Sequence, residues 1–210
     1  MIAEREIAAG AHAIGVDLDD AQAAQLAAFA ALLAHWNDAF NLVSRGDLSR
    51  LLPRHLLDSL SLRPHLVGRR VLDVGTGAGL PGLPLAIAAP ALEFTLLDRS
   101  ERKLKFARQA VLELGLANVT IVQRALDAYR PTAPFDTVVV RAVATPRRVW
   151  KRLARVLAPT GVALFQSVHP EALALPDSVA STRHRVEIPG LAASHWIVAI
   201  ERSRSAVCTP

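Results

Sequence analysis

The feature that most constrains the fold is a glycine-dense segment between an apolar strand and a helix. It reads VLDVGTGAGLPG and runs from Val71 to Gly82. Glycine adopts positive φ angles at little steric cost and lets a ligand approach the backbone closely. In open α/β sheets, ligands bind where such a turn leaves a parallel strand and opens a helix. The segment therefore predicts an α/β fold with a binding site in this turn.

Short apolar strands alternate with helices after Arg70. Apolar runs without polar alternation are typical of parallel strands that helices cover on both faces. The predicted strands are Val71–Val74, Phe94–Leu97, Val119–Val122, Thr137–Val140 and Val162–Phe165, with helices at Leu83–Ala89 and Glu101–Leu114. Two further strands, Arg183–Ile188 and His195–Ile200, flank a Pro189-Gly190 turn and are expected to form an antiparallel pair at a sheet edge.

The first part of the chain is predicted to be helical instead. Leu26, Phe29 and Leu33 recur at helical spacing, Asp17–Asp20 offers N-cap candidates, and Pro53 predicts the start of another helix. The expected organisation is an N-terminal helical extension (1–67), a Rossmann-like domain (68–202) and a flexible tail (203–210).

Composition narrows the classes of protein. Apolar residues make up 51% of the chain and charged residues 20%, which is typical of a globular domain rather than a disordered one. No apolar run reaches the roughly 18 residues of a membrane span, and residues 1–20 lack the pattern of a signal peptide. With Cys208 as the single cysteine, a cytoplasmic protein is expected. The net charge of +5 favours a polyanionic partner, although an arginine-biased genome is an alternative explanation.

Two classes of cofactor could bind at the glycine turn, a dinucleotide or S-adenosylmethionine. The dinucleotide fingerprint G-x-G-x-x-G requires its third glycine where Leu80 stands, whereas this chain has Gly79 instead. S-adenosylmethionine has no pyrophosphate to bind. Its methionine and ribose need a surface of backbone atoms to lie against, which Gly75 and Gly77 could provide. Asp73 could meet the amino group of that ligand or tie down the turn. Asp98, at the end of the second strand, could accept hydrogen bonds from ribose hydroxyls, a device that NAD enzymes share.

Two further candidates follow later strands. Asp127 comes after the third strand and could face an adenine amino group, with the backbone of Leu126 completing that edge; a solvated loop aspartate is the alternative. Arg141 directly follows the fourth strand, on the side where the cofactor is expected. An arginine there is predicted to serve the site, the alternative being a structural ion pair.

With these motifs in place, the chain resembles the bacterial RNA small subunit methyltransferase G family, also called glucose-inhibited division protein B. The segments that carry the resemblance are W-N-D-A-F-N-L (36–42), R-H-L-L-D-S (54–59), the turn from Asp73 to Pro84, F-T-L-L-D (94–98), Phe135-Asp136 and Val140-Arg141-Ala142. It implies a class I methyltransferase with a seven-stranded, mostly parallel sheet and an antiparallel C-terminal strand pair.

The resemblance also implies a reaction, the N7 methylation of a guanine in the decoding-region loop of 16S rRNA with S-adenosylmethionine as donor. The matching cofactor positions are Gly75, Leu80, Leu126 with Asp127, and Arg141. One position departs from the family pattern, because Ser167 stands where an L-K-G segment usually has lysine. The implied partner is 16S rRNA or the small ribosomal subunit, bound by a monomer without metal or membrane.

Guanine N7 carries a free lone pair at neutral pH, so methyl transfer to it needs alignment rather than a general base. Arg141 is accordingly expected to orient the donor or the O6 edge of the base. His55 and Asp58 share a helix face and, with Arg54, could cover the cofactor pocket. A buried hydrogen-bonded pair is the alternative for these two, and a metal site lacks a third ligand at suitable spacing. Arg141, His55 and Asp58 are the candidate catalytic residues.

RNA contacts are predicted on two surfaces. Asn41 lies one helical turn after Asn37, and the two could line the pocket or cap a helix. A basic run is predicted to cover one helix face and, if it binds RNA, to contact phosphates without sequence choice; it comprises Arg147, Arg148, Lys151, Arg152 and Arg155. Two other functions remain open at this point, an NAD-dependent oxidoreductase and a non-catalytic RNA-binding protein.

Overall fold

The computed structural model describes residues 2–141, 145–175 and 179–202. The predicted flexible tail, with Cys208, lies outside the described residues. The N-terminal part is helical as predicted, and its elements are α1 (Glu4–Ala13), α2 (Asp20–Phe40), α3 (Arg45–Leu48), a π-helix (Leu52–Leu57), α4 (Asp58–Leu60) and a 3-10 turn (Arg63–His65).

Helix α2 shows how the sequence sets an element's limits. Asp19 caps its N-terminus: the carboxylate accepts a hydrogen bond from the Gln22 backbone N–H at 2.8 Å, and the Gln22 side chain accepts one from the Asp19 N–H at 3.0 Å. The helix ends at Phe40, and its C-cap residue Asn41 adopts a left-handed conformation with φ 47°. Its buried face includes Leu26, Phe29 and Leu33, the residues that helical spacing predicted.

A seven-stranded sheet follows, and it confirms the predicted fold class. The strands are β1 (Arg70–Val74), β2 (Glu93–Asp98), β3 (Val119–Gln123), β4 (Phe135–Val140), β5 (Leu157–Ser167), β6 (Ser181–Val186) and β7 (His195–Glu201). Their order is β3-β2-β1-β4-β5-β7-β6, and β7 runs in the direction opposite to the other six strands. The antiparallel pair is confirmed, but only β6 lies at the edge, because β7 inserts between β5 and β6.

The strand directions bring the functional segments together. The carboxyl ends of β1, β2 and β4 lie side by side, since Val74 pairs with both Leu97 and Val140. Antiparallel β7 begins at this same edge, where Trp196 pairs with Ser167 at the end of β5. Helices connect the strands, namely α5 (Gly82–Ala88), α6 (Glu101–Glu113) and α7 (Pro146–Leu153), with 3-10 turns at Leu126–Ala128 and Pro170–Ala172.

The N-terminal helices α2 and α4 pack against α5, α2 also packs against α6, and their shared core reaches the sheet at Leu96 of β2. Leu26 and Phe29 of α2, Leu56 and Leu57 of the π-helix, and Phe106 of α6 belong to one buried cluster. A domain boundary at 67/68 stays a prediction, because this apolar core extends across it. Among the described residues, no helix is long and apolar enough to span a membrane.

The helix expected from Pro53 is confirmed: it begins at Leu52, and its first turns are π-helical. One helical prediction needs correction. Helix α7 ends at Leu153, so Arg155 lies beyond it and the predicted basic run does not share one helix face.

Candidate functional site

A cavity of about 620 Å³ opens at the carboxyl edge of the parallel strands. This volume is within the range of sites that enclose small organic ligands, about 300–1,000 Å³. It lies where the glycine turn was predicted to bind a ligand. The cavity is lined by Val74, Gly75, Leu97, Asp98, Arg99, Lys103, Arg124, Ala125, Leu126, Asp127, Arg141, Val149 and Arg152.

The glycine turn is held against the end of β2. The N–H of Gly75 donates to the Leu97 carbonyl at 2.7 Å, and Gly75 has φ +72°, a conformation that favours glycine. Gly82 has no room for a side chain, because a Cβ there would lie 2.1 Å from Leu96 and 2.7 Å from Asp73 Oδ2. The turn therefore presents its backbone at the cavity while its far end packs against the sheet.

Asp73 ties the turn together from beneath. Its Oδ2 accepts hydrogen bonds from the Thr76 hydroxyl at 2.6 Å and the Gly82 N–H at 2.9 Å. Its Oδ1 is buried without a hydrogen-bond partner. Burial raises the pKa of this carboxyl to about 6, although the bonds from Thr76 and Gly82 act in the opposite direction. Of the two predicted roles for Asp73, the structure shows the one that fixes the turn.

Asp98 lies at the end of β2 and lines the cavity. Its Oδ2 accepts from the Gly77 N–H at 2.9 Å, and its Oδ1 accepts from the Ser100 N–H at 2.8 Å. Each carboxylate oxygen can accept more than one hydrogen bond. Asp98 can thus position the glycine turn and still accept from a ligand hydroxyl.

Leu126 and Asp127 form the wall contributed by the turn after β3. The Asp127 carboxylate is largely exposed and pairs with Arg152 at 3.3 Å and Arg155 at 3.6 Å. Asp127 is therefore an exposed carboxylate at the cavity wall that forms ion pairs with two arginines. Its predicted contact with adenine stays a prediction.

Arg141 joins the cavity to a cluster of buried and half-buried polar residues, which we define as Arg54, His55, Asp58, Arg141, Gln166 and His195. Its Nη2 donates to His55 Nδ1 at 3.0 Å and to the Arg54 carbonyl at 3.3 Å. Its Nε lies 3.5 Å from Asp58 Oδ2. The sequence predicted His55 and Asp58 near the pocket, but they do not bond to each other, because Arg141 stands between them.

The protonation of His55 follows from these neighbours. Burial, reinforced by the positive charge of Arg141, lowers the pKa of His55 to about 4. The ring is therefore neutral at physiological pH. Since Nδ1 accepts from Arg141, the proton of the neutral ring belongs on Nε2, which lies 3.9 Å from Asp47 Oδ2.

Two residues of the cluster were missed by the sequence analysis. His195, at the start of β7, has its Nδ1 2.7 Å from Asp58 Oδ1. Gln166, near the end of β5, donates from Nε2 to the Asp58 carbonyl at 2.6 Å and to Asp58 Oδ1 at 3.2 Å. Polar residues at the ends of two otherwise apolar strands were the available signal. Only the pairing of β5 with β7 shows that both reach Asp58.

The side chains of the remaining residues predicted to bind the cofactor or the substrate lie outside the contacts described so far. Leu80 packs into the apolar core and is not among the residues of the cavity wall, so its predicted contact with the cofactor has no support there. Asn41 is exposed at the end of α2 while Asn37 accepts from the Val43 N–H, so the helix-capping alternative is the one observed. Arg54 pairs with Asp47 at 3.1 Å.

The structure also gives the positions of the residues predicted to bind RNA. Arg147 and Arg148 are exposed on α7. Ser167, at the position of the usual family lysine, accepts a hydrogen bond from the His169 N–H at 3.0 Å. Among the described residues, no group of three or more metal-ligating side chains occurs.

The strand order is that of the Rossmann-like, class I methyltransferase fold, and the cavity lies beside its first strand, β1. A solved structure with this architecture is an O-methyltransferase from Streptomyces achromogenes involved in tomaymycin synthesis, in complex with SAM. It superposes with a TM-score of 0.58 at 21% identity over 97% of this chain and all of that one.

The family follows from sequence. The family model of rRNA small subunit methyltransferase G matches residues 22–186. The chain is similar to the ribosomal RNA small subunit methyltransferase G of Methylococcus capsulatus (42% identity over 91% of this chain and 95% of the relative). It is also similar to that of Coxiella burnetii (35% over 93% and 96%). The chain belongs to the ribosomal RNA small subunit methyltransferase G family.

Proposed function

We propose that this protein transfers the methyl group of S-adenosylmethionine to N7 of a guanine in the decoding-region loop of 16S rRNA. The observation that carries the proposal is the cavity walled by Gly75, Asp98 and Leu126, with Arg141 at its side. Family membership supports an rRNA substrate. An NAD-dependent oxidoreductase is not favoured, since the relatives and the fold are those of methyltransferases.

The residues present fit the methyl donor. Gly75 offers backbone at the cavity wall, Asp98 has free acceptor capacity for ribose hydroxyls, and Leu126 supplies an apolar surface for adenine. Asp73 is not part of the cavity wall and supports the site indirectly, by holding the turn through its hydrogen bonds with Thr76 and Gly82. When bound, S-adenosylmethionine supplies an electrophilic methyl group on a sulfonium.

The protein's own residues orient the reactants. Guanine N7 attacks with a lone pair that is free at neutral pH, so no residue has to remove a proton, and proximity and alignment govern the rate. A cation beside N7 would oppose the positive charge that the base acquires. The charge of Arg141 is balanced by Asp58, so this arginine is suited to orient the donor or the O6 edge of the base.

The guanine has to reach the cavity from an exposed loop or by flipping out of a helix, because the major groove of A-form RNA is deep and narrow. The proposed RNA contacts are Arg147 and Arg148, which are exposed on α7, together with the half-exposed side chain of Arg54 and the exposed Asn41. We further propose that the protein acts as a monomer in the cytoplasm, without metal or membrane, on 16S rRNA or the small subunit.

The decisive experiment incubates the purified protein with small ribosomal subunits, or with protein-free 16S rRNA, and labelled S-adenosylmethionine. Mass-spectrometric mapping should find one methylated guanine, which should also be absent from the rRNA of cells that lack the protein. No transfer to either substrate would exclude the enzymatic function and leave the non-catalytic RNA-binding alternative.

Cofactor binding is tested separately by thermal shift. S-adenosylhomocysteine at 100 times its dissociation constant should stabilise the protein by about 2.7 kcal/mol, whereas NAD should have no effect. Gly75→Asp should abolish this shift, because the new side chain fills the cavity wall. Normal binding by a folded Gly75→Asp variant would show that the cofactor site is misplaced.

A further inference from the structure

We propose that His195 is a positioning residue for methyl transfer, acting on Arg141 through the carboxylate of Asp58. This inference rests on the proposed function, in which Arg141 orients the reactants. His195 lies on the C-terminal strand β7, outside the glycine turn and outside the cavity wall. It reaches the site because β7 begins at the edge where β4 and β5 end.

The carboxylate of Asp58 has two differently bonded oxygens. Oδ1 receives the short contact from His195 Nδ1 at 2.7 Å and a longer one from Gln166 Nε2 at 3.2 Å. Oδ2 faces Arg141 Nε at 3.5 Å, which is an ion pair rather than a close hydrogen bond. Two donors on Oδ1 therefore fix the plane of the carboxylate, and that plane sets where Oδ2 meets the guanidinium.

Both residues of the Asp58–His195 contact are largely shielded from water, so water cannot readily replace a lost hydrogen bond. Asp58 is 4% exposed, and the side chain of His195 is 11% exposed. In such surroundings a carboxylate that loses its strongest donor reorients toward the nearest remaining partners, which are Gln166 and Arg141. His195 thus keeps Asp58 from drawing Arg141 away from the cavity.

The guanidinium of Arg141 is held at two of its three nitrogens. Asp58 lies at Nε, and His55 with the Arg54 carbonyl lies at Nη2. Nη1 is buried without a hydrogen-bond partner. A small rotation imposed at Nε would move this remaining donor, and a misplacement of about 1 Å in a positioning group can lower a rate by roughly 100-fold.

A matched pair of substitutions separates the hydrogen bond from packing. In His195→Asn the amide nitrogen occupies nearly the place of Nδ1 and can still donate to Asp58, whereas His195→Leu fills similar space without a donor. In single-turnover methyl transfer with bound subunits, the leucine variant should be slower by about tenfold or more, and the asparagine variant should recover most of the rate.

A double-mutant cycle tests whether the effect passes through Arg141. In an Arg141→Met background, His195→Leu should change the rate by less than about twofold, since coupled residues are not additive. An equal loss of rate in both backgrounds would overturn the proposal, as would an asparagine variant as slow as the leucine variant. Either result would leave His195 a structural residue of β7.

A measurement without substrate distinguishes this inference from the proposed function. The Nε–H signal of Arg141, assigned by its loss in Arg141→Met, is followed by NMR in the cofactor-free protein. His195→Leu should shift this signal and speed its hydrogen exchange by about tenfold, while His195→Asn should not. An unchanged signal in His195→Leu overturns the positioning role. If the signal responds but the wild type methylates no rRNA, the proposed function alone has failed.

Discussion

The guanidinium of Arg141 and the imidazole of His55 are in direct contact, and this contact adds to burial in lowering the pKa of the histidine. Desolvation of the ring and the adjacent positive charge both disfavour the imidazolium form. The ring accepts from Arg141 at Nδ1 and so keeps Arg141 in place without adding a second charge beside the cavity.

We expect His55 to remain neutral, with its proton on Nε2, down to a pKa of about 4. Its ring nitrogen shifts in an NMR titration check this. Arg141→Met removes the neighbouring charge, so the pKa of His55 should rise toward its ordinary value of 6.5 without reaching it, because burial remains. Protonation of His55 near pH 6.5 in the wild-type protein would contradict the contact.

The pKa of Asp73 is shifted upward, whereas the pKa of His55 is shifted downward. Its pKa is raised from 3.8 to about 6, so the native state binds a proton that the unfolded chain has released. The resulting stabilisation is present in full below pH 3.8 and is lost as the pH rises through about 6. Asparagine at this position can accept from Thr76 and Gly82 without burying a charge.

We therefore expect the free energy of unfolding of Asp73→Asn, relative to wild type, to increase by roughly 2–3 kcal/mol between pH 4 and pH 7.5. Urea unfolding at the two pH values measures this difference. Thr76→Val removes a donor to the carboxylate and should raise the pKa of Asp73 further, so the loss of stability should extend to higher pH and be larger in total. A pH-independent difference for Asp73→Asn would show that the carboxyl group is not perturbed.

Among the elements, α2 contributes Leu26, Phe29 and Leu33 to the shared core, and its start is capped by the side chains of Asp19 and Gln22. Asp19 and Gln22 satisfy each other's backbone N–H groups, while Asp20, the next residue, makes no such bond in the structure. The two aspartates have the same charge and exposure and differ only in capping.

Asp19→Ala should lower the free energy of unfolding by about 1 kcal/mol, the usual effect of losing an N-cap. Asp20→Ala, the matched control, loses only a favourable charge near the helix N-terminus and should cost no more than about 0.3–0.5 kcal/mol. Chemical denaturation of both variants measures the difference. Equal losses would mean that the cap bond contributes nothing beyond charge.

At the scale of the whole molecule, some basic residues near the cavity are paired with a carboxylate and others are exposed. Arg152 and Arg155 are paired with Asp127, whereas Arg148 and Lys151 lie exposed on α7. RNA phosphates release counterions when basic groups neutralise them, so contacts from Arg148 and Lys151 would make RNA binding depend on salt.

The double variant Arg148→Glu and Lys151→Glu should weaken binding to 16S rRNA and reduce the salt dependence of the association constant by a slope of about 1–2. A control with the same change in net charge is Arg5→Glu with Arg183→Glu, at exposed positions on α1 and β6. Filter binding across a salt series compares the two. The same loss in both variants would indicate an effect of net charge rather than a surface on α7.

Much of the fold could be predicted because its signals are local. Buried strands such as Val138–Val140 are apolar on both faces, helix α2 has its cap and its apolar spacing within a few residues, and the glycine turn contains its own conformational requirement. The location of the cavity followed from the same signals, since the carboxyl ends of parallel strands share one edge.

The tertiary structure alone decided how the polar side chains pair. His195 and Asp58 are 137 residues apart, and Arg141 and His55 are 86 apart, so no local spacing relates them. The insertion of β7 beside β5 brings His195 to Asp58, and the end of β4 places Arg141 between Asp58 and His55. Periodicity and turn chemistry depend on neighbours along the chain, whereas charge pairing and the pKa values it sets depend on the three-dimensional arrangement of the strands.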